Sequence, residues 1–481
     1  MGGESVRKSR IFLCMIFVLI IIGVAYGIMG MQKSGEVEQQ ANFDVVNELH
    51  QLITEESVYD IEPEQLVEGA LRGMANAIKD PYSTYYSEQE AALHKQTLAS
   101  ERIGIGLELS EMNGKFIVVA PVKASPAEKA GIRPLDELVQ INDTRLEGQT
   151  MGEVMKLMQG KEGESVELVL YRPELERHVK LVVKRERLKN ETVHSEVIQV
   201  EDTNIGYITV SLFGENTALE WKKALDSLME QQAEALIIDV RDNPGGYLHS
   251  VEQMMSMFEQ KEKIFAYMQN HDGVMAALKT KKVEELAAYP KFLNTIPVTV
   301  LQNEGSASAS EVFAGALQDW KRAMLIGVTS FGKGTVQQTW PLQNGGEVKL
   351  STNKWLTPSK RWIHSVGIEP DIEVTQHPLF RVESKLLKGR FEVGEYSEEI
   401  AYSQRVLSEL GYGISRIDGF FDMDTAEEVA KFRKQHDLQE GRYMDETFFN
   451  EMTVQIQEFK QSKLNDMQLQ MAISFVMHQL E

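Results

Sequence analysis

A chain of 481 residues amounts to about three domains at roughly 150 residues apiece, which excludes a single compact core. Hydrophobic residues make up 42% and charged residues 25%, ordinary globular usage that excludes wholesale disorder. With 50 Lys and Arg against 72 Asp and Glu the net charge is −22, which repels a phosphate backbone and excludes nucleic acid as a partner; the single cysteine, Cys14, excludes a disulfide framework and a cysteine zinc site.

Ile11 to Met31 is a run of 21 residues without a charge, long enough as a helix to cross the roughly 30 Å of bilayer hydrocarbon. Arg7, Lys8 and Arg10 precede it and only Lys33 follows closely, so the positive-inside rule keeps the N-terminal tip in the cytoplasm and puts the rest outside. Ala25 and Gly27 form a weak signal-cleavage site, but the run exceeds the usual signal core and residues 1–35 are read as cytoplasmic tip and membrane anchor.

Residues 36–100 read as helical, with one stripe at Val45, Val46, Leu49, Leu52 and Ile53 and a second at Leu66, Ala70, Leu71, Met74 and Ile78, ending at Asp80-Pro81. A helical pair of this kind serves as a homodimer surface or spacer, or simply packs as a leader to the next domain. Residues 101–188 carry short β-rich runs, Phe116–Ala120 and Val166–Tyr171, between Gly and Pro punctuation. The turn Gly104-Ile105-Gly106-Leu107, the stretch Ala124–Ile132 and the run Asp136–Asn142 follow in order, and this segment resembles a PDZ domain. The resemblance implies that the Gly104–Leu107 turn presents backbone N–H groups to a peptide's terminal carboxylate, with Met151–Met158 as the flanking helix.

From 189 to 380 strands and helices alternate: strand Ile205–Leu212, helix Ala218–Glu230, buried strand Ala235–Val240 and buried strand Val298–Leu301. That pattern predicts an α/β core. Residues 395–455 form a short helical unit, and Val454–Leu480 reads as one last amphipathic helix, making 456–481 a C-terminal helix.

Nucleophile candidates start with Asn303-Glu304-Gly305-Ser306-Ala307-Ser308-Ala309-Ser310-Glu311, which leaves a buried strand and opens a helix. Ser308 and Glu311 spell a Ser-x-x-Glu capping box, so in isolation the serine reads as a helix cap. Asp319, 11 residues on, lies about 16 Å along the same helix and cannot bond to Ser308. No Gly-x-Ser-x-Gly elbow and no His-Glu-x-x-His occurs. A lysine replaces histidine as base when burial disfavours its charge, and Lys333 between Gly332 and Gly334 fits, with Gln337 four residues on as an amide partner. The same segment nearly spells a phosphate-binding loop, Gly327 to Lys333, but residue 334 is Gly where Mg²⁺ needs a hydroxyl. Strand Ile237–Val240 ends in Arg241-Asp242-Asn243-Pro244-Gly245-Gly246, either a plain turn or, with Ala309, a source of N–H donors to a developing oxyanion.

Taken together, Asp80-Pro81-Tyr82-Ser83, the Asp239–Gly246 turn, Ser306–Glu311, Phe331–Gln337 and Gly367-Ile368-Glu369-Pro370-Asp371 resemble the carboxyl-terminal processing, or tail-specific, proteases of Bacillus and its relatives. The resemblance implies an α/β multidomain serine endopeptidase: Ser308 as nucleophile, Lys333 as general base, Gln337 as its partner, and Ala309 with Gly245 or Gly246 as the oxyanion hole. It implies no metal and no cofactor, substrates that are proteins or peptides with a free C-terminus bound by the PDZ-like gate, and regulatory processing outside the cytoplasmic membrane, in spore formers as signalling between compartments. Within 395–455, Gln404–Leu407, Leu410-Gly411-Tyr412, Ile417–Phe421, Thr425-Ala426 and Phe432 resemble a peptidoglycan-binding module, although Lys431-Phe432-Arg433 stands where that module has Phe-Gln; wall binding stands level with a helical dimerisation element. The rival from another class is a catalytically silent scaffold, against which the presence of both Ser308 and Lys333 counts.

Overall fold

The computed structural model describes residues 43–481 apart from 99–100, 113–114, 123–124, 135, 150, 176, 190, 287, 383–384 and 386. The expected membrane helix at 11–31 lies outside the described residues, and among these no helix is long and apolar enough to cross a membrane. The chain divides into two compact units, one taking in the described residues up to Glu88 with Thr339–Leu350, the other Gln89–Gln338 with Ser351–Glu481.

In the first unit a helix over residues 43–56 (α1) is followed by α2 (Pro63–Ala77) and strand β1 (Thr84–Tyr86). The two stripes expected here form helices, but Val45, Val46, Leu49 and Leu52 are exposed. β1 pairs antiparallel with Glu347–Lys349, a partner more than 260 residues away that no local pattern announces.

After α3 (Glu88–Leu98) the second unit opens with the PDZ-like domain: β2 (Glu101–Gly104), β3 (Leu107–Met112), β4 (Lys115–Pro121), α4 (Pro126–Lys129), β5 (Glu137–Ile141), β6 (Thr144–Arg145), α5 (Met151–Met158), β7 (Ser165–Arg172), β8 (Arg177–Lys184) and β9 (Glu186–Lys189). Its main sheet runs β3-β4-β5-β7-β8, so among the described strands β3 is an edge with one side unpaired. β7 alternates buried and half-buried residues, and Val166, Leu168 and Leu170 are fully enclosed, the period of two of a sheet with one dry face.

The α/β core follows with β10 (Val193–Val200), β11 (Thr203–Val210), α6 (Thr217–Glu230), β12 (Ala235–Asp239), α7 (Leu248–Phe258), β13 (Ile264–Asn270), β14 (Met275–Lys279), α8 (Tyr289–Leu293), β15 (Val298–Gln302), α9 (Ala309–Asp319), β16 (Met324–Gly327), β17 (Thr335–Pro341), β18 (Glu347–Leu356) and β19 (Ile372–Glu373). The sheet order is β10-β11-β12-β15-β16-β19. It is parallel from β11 to β19, with β10 added antiparallel. Every residue of β12 and β15 is buried, as parallel strands covered on both faces must be. Along β12 alternate side chains part company: Leu236 and Ile238 pack with α6, α7 and α9, whereas Ile237 joins a second cluster on the other face.

The C-terminal part holds α10 (Glu398–Glu409), α11 (Met423–Gln435), α12 (Glu446–Gln461) and α13 (Met467–Leu480). One helix over Val454–Leu480 was expected; there are two, because Asp466 accepts from Leu469 N–H at 2.9 Å and starts a new helix after the turn at 463–465. The division changes the organisation. α12 runs past residue 455 and puts Phe448, Phe449, Met452 and Ile456 into the core of the 395–455 unit, whereas α13 lays Leu469, Ala472 and Val476 on Ile205, Ile237, Leu301 and Ile326 of the parallel sheet. Each Leu, Ile or Val among these contributes roughly 1.5–3 kcal/mol on burial.

Within the 395–455 unit the departure at Lys431-Phe432-Arg433 has a structural reason. Phe432 enters the core, and Arg433, fully buried, donates to Gln439 O at 2.6 Å and to Asp445 Oδ1 at 2.8 Å, with its guanidinium 4.2 Å from the Tyr443 ring centre. Asp445→Ala strands that cation and is expected to lower stability by about 3 kcal/mol, read as a fall in the unfolding midpoint; an unchanged midpoint would refute the account.

Candidate active site

The carboxyl ends of β12, β15 and β16 deliver three loops to one place, the position where open parallel sheets present their chemistry. β15 ends at Gln302 and α9 begins at Ala309, leaving six residues for a sharp turn. Ser308, the N-cap, has φ 55° and ψ −113°, a region costing about 1–3 kcal/mol for a residue with a Cβ. The surroundings hold it there. Asn303 Oδ1 accepts from Gly305 N–H at 3.0 Å and Asp242 N–H at 2.8 Å, and the Ser306 hydroxyl donates to Val240 O at 2.7 Å.

The β12 turn is stitched to this elbow. Asn243 O accepts from Ala307 N–H at 3.0 Å and from the Ser310 hydroxyl at 2.8 Å. Gly245, φ 106°, lies so close that a Cβ on it would meet Ser308 Cβ at 2.8 Å and Ala309 N at 3.0 Å. Its own N–H is committed to Asn243 Oδ1 at 2.9 Å. Gly246 is the middle residue of a parallel bridge to Phe213, so its N–H points away from that partner. Of the two glycines, Gly246 is therefore the one with a donor to offer.

Glu311 joins the elbow to the lysine loop. It is 1% exposed. One carboxylate oxygen accepts from Ser308 N–H and Lys333 N–H, both at 2.8 Å; the other accepts from Gly332 N–H at 2.7 Å and the Ser330 hydroxyl at 2.6 Å. The amides of Ser308 and Lys333 thus share one oxygen and lie no farther apart than two hydrogen bonds. Burial pushes the Glu311 carboxyl above the usual glutamate range in spite of these four donors. Ser330 Oγ in turn accepts from Ile368 N–H at 2.7 Å, which gives the Gly367–Asp371 motif its task.

Two tryptophans hold the far side of the lysine loop: Trp355 Nε1–H donates to Lys333 O at 2.7 Å and Trp362 Nε1–H to Gly334 O at 3.0 Å. Gly334 has no room for a Cβ, which would meet His364 N at 2.7 Å. Gln337, on β17, donates its amide to Thr335 O at 3.1 Å, Thr335 Oγ1 at 3.0 Å and Ser351 Oγ at 3.2 Å. Asp319 sits at the other end of α9, as helix geometry requires. It accepts from Ser359 N–H at 2.7 Å and pairs with Arg361 at 2.6 Å; burial pushes its carboxyl up, but the bonds from Thr357 and Ser359 and the charge of Arg361 hold it below the usual carboxylate range.

Ser308, Ala309, Gly245 and Lys333 therefore belong to one site, reached from residues far apart in sequence. Gly104, Ile105, Gly106 and Leu107 form a separate feature between β2 and β3 of the PDZ-like domain. Ile105 is 2% exposed and turned into that domain's core, so the turn has backbone rather than an isoleucine side chain to offer. The parts missed by sequence reading are the Glu311 bridge, hidden behind its capping-box spelling, and Trp355 and Trp362, which carry no local signal.

Comparison with known proteins agrees with this architecture. The family model described as peptidase family S41 matches residues 204–374, a PDZ domain model matches 117–172, and a model described as the activating protease CtpB N-terminal domain matches 26–90. The chain is 37% identical over 436 residues to the carboxy-terminal processing protease CtpB of Bacillus subtilis strain 168, covering 91% of this chain and 89% of that protein. It is 33% identical over 442 residues to CtpA of the same organism, covering 92% and 91%. Among solved structures, the photosystem II D1 C-terminal processing protease aligns at 26% identity and a TM-score of 0.42, covering 68% of this chain and 86% of that one. A serine protease with a PDZ domain, the chain belongs to peptidase family S41, among the carboxy-terminal processing proteases of Bacillus type.

Proposed function

We propose that the chain is a Ser–Lys endopeptidase that recognises a substrate's C-terminal tail through its PDZ domain. The observation that carries this reading is the strained Ser308 at a strand-to-helix elbow, sharing one Glu311 oxygen with the amide of Lys333. Ser308 Oγ attacks the scissile carbonyl while the neutral Lys333 amine takes its proton. The N–H groups of Ala309 and Gly246 stabilise the oxyanion. Collapse breaks the C–N bond, the leaving amine recovers the proton from Lys333, and water then hydrolyses the acyl-enzyme by the same route, with no metal or cofactor. Gln337, four residues downstream on β17, acts as the partner of the lysine amine through its amide oxygen, its NH₂ being held by Thr335 and Ser351. Tail recognition is supported by the Gly104–Leu107 turn opening directly onto edge strand β3, to which an extended peptide can add as a further strand.

The test compares one peptide series with a free C-terminal carboxylate against the same series amidated. The free acid is expected to be cut with kcat/KM at least about tenfold higher. Equal rates would remove the PDZ-tail reading while leaving the Ser–Lys chemistry untouched.

The setting is the cell membrane, with residues 11–31 as a single-pass anchor and the catalytic part outside the cytoplasm, where regulatory processing of the kind used in spore-former signalling takes place. The exposed apolar stripe of α1 supports a homodimer contact. The exposed Tyr396 and Phe420, bridged to each other on the 395–455 unit, support peptidoglycan contact by that unit.

A further inference from the structure

The proposed oxyanion turn after β12 carries an arginine that ties the end of that strand to the last helix. Arg241 Nε donates to Asp239 Oδ1 at 3.0 Å and Nη2 to Asp239 Oδ2 at 2.6 Å. Its two outer nitrogens grip Asp466 in a fork, Nη1 to Oδ1 at 2.9 Å and Nη2 to Oδ2 at 2.7 Å, and Nη1 also reaches Gln468 Oε1 at 3.1 Å. Asp466 is the N-cap of α13, and Gln376 Nε2 donates to it at 2.7 Å. The Tyr207 hydroxyl donates to Asp239 Oδ2 at 2.6 Å. Side-chain exposure is 14% for Arg241, 7% for Asp239 and 11% for Asp466, so the network is largely shielded from solvent screening. Burial pushes Asp466 up, but Arg241, Leu469 N–H and Gln376 hold it below the usual carboxylate range, charged at neutral pH.

Packing alone does not fix this side of the turn. An open cavity of about 750 Å³ lies there, lined by Tyr207, Asp239, Arg241, Asp242, Asn303 and Asp466 among others. Where side chains leave such a space, rigidity depends on directed bonds, and the fork between Arg241 and Asp466 is the strongest kind present. Arg241 stands four residues before Gly245, and its own N–H is fixed by Asp239 Oδ1 at 3.0 Å.

We infer that Asp466 is a positioning residue for the oxyanion turn, acting through Arg241 across 225 residues of sequence. The inference rests on the proposed use of that turn as an oxyanion hole. A carboxylate in the final helix thereby sets the placement of donors that must meet charge only as it develops in the transition state, so its loss reaches kcat and leaves ground-state binding alone.

The test uses the full chain, in detergent, with Asp466→Asn, which keeps the size and one acceptor for the helix cap. Two ester substrates are compared, identical except that the scissile carbonyl oxygen is sulfur in one; sulfur is poorly received by N–H donors placed for oxygen. Wild type is expected to prefer the oxygen ester strongly. Asp466→Asn is expected to lose about tenfold in kcat on that ester with KM unchanged, and to narrow the oxygen-over-sulfur preference by a similar factor, with its unfolding midpoint still well above the assay temperature. A merely structural role lowers the midpoint and leaves the preference intact, which would overturn the inference, as would an unchanged kcat. If wild type itself shows no preference for oxygen, the oxyanion reading fails instead, and the inference with it. Should Asp466→Asn not fold, Arg241→Lys keeps the charge but loses the fork, and is held to the same kcat and preference.

Discussion

Ser308→Ala is expected to bring digestion of an unfolded test protein to background, with a circular dichroism spectrum matching the parent. Removing an activated serine nucleophile costs on the order of a millionfold in kcat, whereas losing one half-buried hydroxyl costs the fold about 1 kcal/mol or less. Alanine tolerates φ 55° no better and no worse than serine, and the bonds that hold the elbow come from Asn303, Ser306 and Asn243, which stay in place. Lys333→Ala is expected to match it, because the loop is fixed through backbone groups, Lys333 N–H to Glu311 and Lys333 O to Trp355. Measurable turnover in either folded variant would end the Ser–Lys mechanism.

Glu311→Gln removes the hinge between the two loops and is the second large effect. The carboxylate accepts four hydrogen bonds on two oxygens; an amide has one oxygen, and its NH₂ opposes donors instead of receiving them. Each bond to a buried charge is worth about 1.5–3 kcal/mol, so the loops must part or pay in strain. The expected result is a loss of kcat/KM on the order of a hundredfold or more, with KM for the tail peptide little changed because the PDZ-like domain is not touched. The pH dependence has a definite sign. Burial raises the folded carboxyl above its unfolded value, so its protonated form is favoured by folding, and this contribution to stability is present at low pH and lost as pH rises through the raised value. Activity runs the other way, gained as the ionised acceptor forms. In Glu311→Gln that opposed pair of limbs should vanish from the stability and rate profiles; a variant that keeps both limbs and full activity would show that the bridge is incidental.

What was legible in sequence was what is local. The Met151–Met158 helix appears with the bounds expected, and the Ala218–Glu230 helix and the buried strands at 235 and 298 differ by one or two residues at their ends. Ser308 and Lys333 could be named because short stretches around them carry their own spelling. What sequence could not supply was the partner at a distance. Glu311 spells a helix cap, and only the fold adds the lysine loop to its duties. Arg241 and Asp466 look like two ordinary charges until β12 and the last helix meet. The break at 462–466 was missed because apolar residues continue on both sides of it, and a hydrophobic pattern records period, not the one aspartate that restarts a helix. β1 went unread because three residues hold no alternation, and their pairing is decided by Glu347–Lys349.

The placement of the last helix has a consequence for how such a protease is born. Ile205, Ile237, Leu301 and Ile326 are covered by Leu469, Ala472 and Val476, so one face of the catalytic sheet stays bare until residues 467–480 have left the ribosome. Non-local closure of this kind is slow and leaves apolar surface open to chaperones in the meantime. A chain that already carries both Ser308 and Lys333 therefore still lacks the cover on one face of its sheet, and that face closes only when the last helix docks.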